Sequence, residues 1–155
     1  MSFSLSRLES PAVSAFGPTA LRIALGSVFV AHALAKAFTF TFPGTVQFFE
    51  SFGIPGFTVY PVFFAELLGG LSLIVGFRTR AVALLLVPVM LGALVPHINN
   101  GWMFSNNGGG WEYVAFLIVA LGAQALVGSG AYAVDSALSR ARKSDAPVLL
   151  RAGQR

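Results

Sequence analysis

The chain is 155 residues long, 55% hydrophobic and only 10% charged, with a mean hydropathy of +0.76. A soluble domain carries about 25% charged residues, so the composition argues against water and for lipid as its main solvent. There is no cysteine, which excludes a disulfide framework, a Cys-ligated zinc or iron–sulfur site and a Cys-x-x-Cys redox couple belonging to this chain.

A bilayer core about 30 Å thick needs roughly 20 mostly apolar residues per helix. Residues 1–18 are polar and lack the apolar core of a cleavable signal, so the first helix is expected to stay in the mature protein. The first predicted span is 19–40, with Arg22, His32 and Lys36 as its ionisable groups. Between Pro43-Gly44 and Gly53-Ile54-Pro55-Gly56, Thr45–Phe52 reads as a short interfacial helix, with Phe48, Phe49 and Phe52 towards lipid and Gln47 and Glu50 towards water. The second span is 58–77, with Glu66 alone, and the third is 81–97, short and carrying Pro88 and Pro96. Pro88 removes a bond to the Leu84 carbonyl, so a kink or local cavity is expected there. The fourth span, 112–131, completes an all-α, membrane-embedded four-helix bundle over 19–135, followed by a basic tail at 136–155.

Orientation follows from the positive charges. Arg7 and Arg22 precede or open the first helix, Arg78 and Arg80 sit in the turn between the second and third, and Arg140, Arg142, Lys143, Arg151 and Arg155 follow the fourth. In a four-span chain these regions share one side, which holds nine of the ten basic residues, so both termini are expected to be cytoplasmic in a multi-pass inner-membrane protein. This accounts for the net charge of +4 and the pI near 10.1 without nucleic acid, which would need a solvated basic face. The basic tail is expected to meet anionic headgroups.

The connection at 97–111 is rich in Asn and Gly and contains Trp102 and Trp111. Those tryptophans read as interface anchors, and the amides and glycines as a candidate lid approaching a ligand.

Ionisable residues within a span are costly and usually face the bundle interior. His32 and Lys36, four apart, share a helical face. Lys36 lies about 6 Å, and His32 and Glu66 about 12 Å, in from the ends of their spans. With His97 and Glu112, every helix contributes one such group to the half of the bundle opposite the arginine turn. Ala65-x-x-x-Gly69 and the Ser27/Ala31/Ala35 stripe would let the helices approach closely. The plain alternative is polar glue between helices. Two histidines and two carboxylates also resemble a ligand set, but the Glu-x-x-His motif of di-iron bundles is missing, and no metal is expected.

The order of landmarks resembles the DoxX family of small four-helix membrane proteins. The segments are Leu21-Arg22-Ile23-Ala24-Leu25-Gly26, His32-x-x-x-Lys36, Phe48-Phe49-x-x-Phe52-Gly53-Ile54-Pro55, Ala65-Glu66-Leu67-Leu68-Gly69-Gly70, Gly76-Phe77-Arg78-Thr79-Arg80-Ala81, His97 and Gly110-Trp111-Glu112-Tyr113. Ala33 stands where that pattern commonly has glycine. The resemblance implies membrane oxidoreductase complexes of sulfur, thiol or oxidative-stress chemistry, and makes Lys36, Glu66, His97 and Glu112 the pocket candidates.

The leading expectation is a subunit of a quinone-linked oxidoreductase, with a quinone as exchangeable cofactor and none bound covalently. His32, Lys36, Glu66, His97, Asn100, Trp111 and Glu112 form the expected binding set, with Glu66 and His97 as proton relay. Expected partners are the bilayer, a soluble or membrane redox protein and a second copy of the chain. A non-enzymatic scaffold or assembly factor, and a small-solute or proton carrier, stay open as alternatives.

Overall fold

The computed structural model describes residues 14–144, and its regular elements are helices, with no strand among the described residues. Helix α1, Phe16–Leu34, opens with Pro18 in its first turn, where the missing N–H costs no intrahelical bond. It runs directly into a π-helical turn, Ala35–Thr39. Thr41, at φ +61°, then caps the short helix α2, Phe42–Ser51, by accepting a 3.3 Å bond from the Gly44 N–H. A 3₁₀ turn, Gly56–Thr58, leads into α3, Val59–Val75. Gly76, left-handed at φ +74°, closes α3 in a Schellman motif: its N–H bonds the Leu73 carbonyl, and that of Phe77 bonds Ser72. Helices α4, Thr79–Leu94, α5, Glu112–Val127, and α6, Val134–Ser144, follow.

The packing follows a three–four spacing in each long helix. Buried positions are Arg22, Gly26, Phe29 and Ala33 on α1, Val59, Glu66, Gly70 and Leu73 on α3, Thr79, Ala83, Leu86 and Met90 on α4, and Val114, Leu117, Leu121 and Gln124 on α5. That spacing places one seam on each helix and suits a shallow left-handed crossing. The pairs α1–α3 and α4–α5 are the most extensive, and α3–α4 and α1–α5 contacts close the ring. Phe29, Leu73, Leu86 and Leu121 form the centre of the apolar core. The outward faces are as apolar as the seams: Leu85 is 72% and Leu126 80% exposed.

Gly26 and Gly70 make the α1–α3 approach. A Cβ at Gly26 would stand 2.6 Å from the Gly70 carbonyl oxygen, and one at Gly70 would stand 2.8 Å from that of Gly26. This corrects the expected small-residue contact. Ser27 and Ala31 are exposed, one residue around the helix from the seam, and Gly69 faces Leu86 of α4 instead.

Two apolar helical stretches, Phe16–Thr39 and Gly56–Val75, are long enough by themselves to cross a membrane, while α4 and α5 have 16 residues each. Both shorter helices stop earlier than the hydropathy pattern. Pro96 has no N–H with which to extend α4, and Gly128 and Gly130, at φ +85° and +69°, turn the chain away after α5. Helix α4 continues through Pro88 without interruption. Of the basic residues used for orientation, Arg7, Arg151 and Arg155 lie outside the described residues.

Candidate functional site

The α1 seam continues from Ala33 to Lys36, which falls in the π turn, and the α3 seam carries Glu66. The side chains meet there: Lys36 Nζ donates to Glu66 Oε1 at 2.8 Å and Oε2 at 2.7 Å. The Glu66 side chain is 3% exposed and that of Lys36 15%, so the carboxylate is enclosed while the ammonium reaches the edge of the packing. This is the only ion pair among the described residues. An ammonium has three N–H donors; Glu66 occupies two, and no acceptor among the described residues takes the third. The wider π turn at Lys36 is a feature that often accompanies functional sites in helices.

His32, expected to face inward with Lys36, is exposed. Its Nδ1 lies 2.8 Å from the Val28 carbonyl, which can only accept, so Nδ1 carries a proton and donates to it. The ring stacks on Tyr113, centroids 6.4 Å apart and planes 23° apart. Four residues are 400° of helix, and the turn from His32 to Lys36 enters the π segment, so the two side chains diverge.

Of the other four expected site residues, His97, Asn100 and Trp111 lie in the connection between α4 and α5, and Glu112 is the first residue of α5. His97 Nδ1 donates to Gly109 O at 2.9 Å and approaches Gly108 O at 3.2 Å. The Asn100 amide nitrogen lies within 3.1 Å of the carbonyls of Pro96, Gly108 and Gly109, and the Asn106 amide donates to Asn100 O. Glu112 Oε1 accepts from the Phe104 N–H at 2.7 Å. Trp111 packs edge-on against Trp102 with centroids 4.4 Å apart. Gly110 is buried, and a side chain there would overlap the carbonyls of Gly101, Trp102 and Met103. The loop is thus closed upon itself.

The expectation of one cluster drawing an ionisable group from every helix is corrected accordingly. Lys36 and Glu66 pair, while His97 Nδ1 and Glu112 Oε1 bond loop backbone, and no hydrogen bond or ion pair links the two sets among the described residues. The Tyr113 ring meets His32 at 6.4 Å and Phe104 at 6.2 Å, between centroids. Its position directly after Glu112, at the start of a helix, was the available signal for it.

Sequence reasoning also missed a second polar centre, at the arginine turn. Arg22, counted only as a topological charge, is 1% exposed. Its Nε donates to Ser129 O at 2.8 Å, Nη1 to Leu73 O at 2.9 Å and to Ile74 O, and Nη2 to Ala131 O at 3.1 Å and Tyr132 O at 3.2 Å. The guanidinium satisfies the open carbonyls at the end of α3 and binds the turn after α5 to them. Asp135 caps α4 from outside that helix, accepting from Arg78 N at 2.8 Å and Thr79 N at 3.1 Å.

Apolar outward faces around a buried cation–carboxylate pair define a membrane protein rather than a soluble bundle. Residues 17–98 match the family described as DoxX, and the chain belongs to that family. The matched segment includes Lys36, Glu66 and His97 and leaves Asn100, Trp111 and Glu112 outside. The chain is similar to "Putative oxidoreductase CatD" of Bacillus subtilis (strain 168), 37% identical over 79 residues, covering 51% of this chain and 58% of CatD. It is also similar to "Inner membrane protein YqjF" of Escherichia coli (strain K12), 35% identical over 108 residues, covering 64% of this chain and 75% of YqjF. No solved structure matches it significantly.

Proposed function

We propose that α1, α3, α4 and α5 all cross the inner membrane, with both chain ends on the cytoplasmic side, and that the protein is a quinone-reactive subunit of a membrane oxidoreductase acting in sulfur, thiol or oxidative-stress chemistry. The Lys36–Glu66 pair carries this reading. An ion pair within an apolar seam is expensive in a bilayer, and this one keeps a donor directed away from its partner.

The donor set suits a quinone headgroup, whose carbonyl oxygens need hydrogen-bond donors beside a route for protons. Lys36 Nζ supplies the donor, fixed in place by both Glu66 oxygens. Glu66 is the candidate proton carrier, and His32 with Tyr113 forms the aromatic edge facing α5. Bound there, a quinone would supply two-electron chemistry that a cysteine-free chain lacks a thiol couple to perform. Oxidation of two thiols to a disulfide on a partner releases two electrons and two protons, the number needed to form a quinol. The name of CatD supports the oxidoreductase class, and that of YqjF the inner membrane. Orientation is supported by Arg22, Arg78 and Arg80 at one end and Lys36 at the other.

The test is the quinone content of protein purified in mild detergent, beside Glu66→Gln. Near-stoichiometric quinone in the wild type, lost in the variant, is expected. No quinone in the wild type, or equal amounts in both, would overturn the pocket and leave the scaffold and carrier readings. Topology is tested separately by single cysteines placed at Ser105 and Ser139, which should react with impermeant reagent from opposite sides.

A further inference from the structure

A groove of about 360 Å³ lies between the start of α4 and the turn after α5, lined by Arg78, Arg80, Ala81, Ser129 and Asp135. Both arginines are exposed, and neither forms an ion pair with a described carboxylate. Asp135 contributes the one negative charge, but its two oxygens already accept from the Arg78 and Thr79 backbone. Each guanidinium rests on a support. Arg80 lies against Gly128, where a Cβ would stand 3.1 Å from Nη2 and 3.2 Å from Nε, and Arg78 sits 5.9 Å from the centre of the Phe77 ring. The backbone of Arg78 is itself left-handed, at φ +47° and ψ +38°, a conformation costly for a residue with a side chain. Ser129 gives its carbonyl to Arg22 and leaves its hydroxyl for another partner.

The surroundings are apolar. Phe16 and Tyr132 pair at the same end with centroids 6.1 Å apart, and Phe77 is 41% exposed. Helix α4 also lines an apolar cleft of about 400 Å³, with Phe64, Leu68, Val82 and Leu85 among its lining residues. A paired cationic seat, with exposed aromatics at the same end of the bundle and an apolar cleft on the same helix, matches an amphiphilic anion better than a free one.

We propose that this groove binds the phosphodiester headgroup of an anionic phospholipid, with Arg78 and Arg80 on the phosphate oxygens, Ser129 as an additional donor, and an acyl chain along the α3–α4 cleft. The assignment rests on α4 lying in the bilayer and is independent of any quinone chemistry at Lys36 and Glu66. It makes the arginine turn a specific lipid site in addition to a topological signal.

The experiment measures phosphatidylglycerol retained by the full chain in mild detergent, by native mass spectrometry, alongside the shift in unfolding temperature. Phosphatidylcholine and inorganic phosphate are the comparison probes. Phosphatidylglycerol is expected to remain bound and raise the unfolding temperature, and neither comparison probe should do so. Arg78→Gln with Arg80→Gln should weaken retention roughly thirtyfold, the effect of two near-surface charges, whereas Arg140→Gln, outside the groove, should retain it. Equal retention of phosphatidylcholine would overturn the site. Equal loss in Arg140→Gln would reduce it to diffuse attraction, and stabilisation by phosphate alone would reassign it to a free anion. If the double glutamine variant fails to fold, the wild-type comparison still decides, and the corresponding double lysine variant should keep the preference for phosphatidylglycerol.

Discussion

The two ends of the α1–α3 pair each place a basic side chain on the α1 seam, yet they treat it differently. Arg22 gives its donors to five backbone carbonyls, from the end of α3 and the turn after α5. Lys36 gives two of its three to a single carboxylate and sits partly open. A planar guanidinium held on fixed carbonyls is a latch, with little capacity left to bind or exchange anything. An ammonium paired with one carboxylate keeps an N–H that a ligand can take. Two cations of equal charge on the same helical seam therefore act as fastener and candidate site, and their partners decide which is which.

Substitutions can break that comparison, and the largest effect is expected at the latch. Arg22→Met takes the donors from Ile74 O, Ser129 O and Tyr132 O, while Leu73 O and Ala131 O keep those from Gly76 N–H and Thr19 Oγ1, and should cost about 4 kcal/mol, read as unfolding in detergent. Arg22→Lys should recover little, because an ammonium cannot span the two segments. Full recovery would mean that charge alone matters at this end.

At the other end, Lys36→Met strands the Glu66 carboxylate and should cost about 3 kcal/mol. The double change to methionine at 36 and 66 should return to within about 1 kcal/mol of wild-type stability, while abolishing quinone retention. Equal damage in the single and double variants would show the pair to be a fastener after all.

Gly26 is one turn from Arg22, and Gly70 one turn from Glu66, so the helix crossing sets the spacing of both ends. Gly70→Ala drives a methyl towards the Gly26 carbonyl, and about 2 kcal/mol of destabilisation is expected. Quinone retention should fall with it; retention unchanged would separate the pocket from the crossing. The smallest effect belongs to Asp135→Ala, which removes the α4 cap and should cost about 1 kcal/mol without changing quinone content.

The helical class and family were legible because they depend on local quantities. Apolar runs, proline and glycine positions and the spacing of landmark residues carried both readings, and Thr45–Phe52 anticipated most of α2. Lys36 and Glu66 were legible as site candidates because ionisable residues are conspicuous in apolar segments. Sequence alone leaves Glu66 and Glu112 both open as the partner of Lys36. Tertiary packing settled it by placing Glu66 on the α3 seam and turning Glu112 into the loop.

The sequence by itself determined the apolar character and the helices, because each depends on neighbours within a few residues. Only the tertiary structure decided that Arg22 is a buried latch, that Gly26 and Gly70 form the crossing, and that His97, Asn100 and Glu112 hold their own loop together. Arg22 meets Leu73, Ser129 and Ala131 across separations of 51, 107 and 109 residues. The acceptors are backbone carbonyls, chemically the same at every position, so no side-chain pattern marks in advance which of them the folded chain will present.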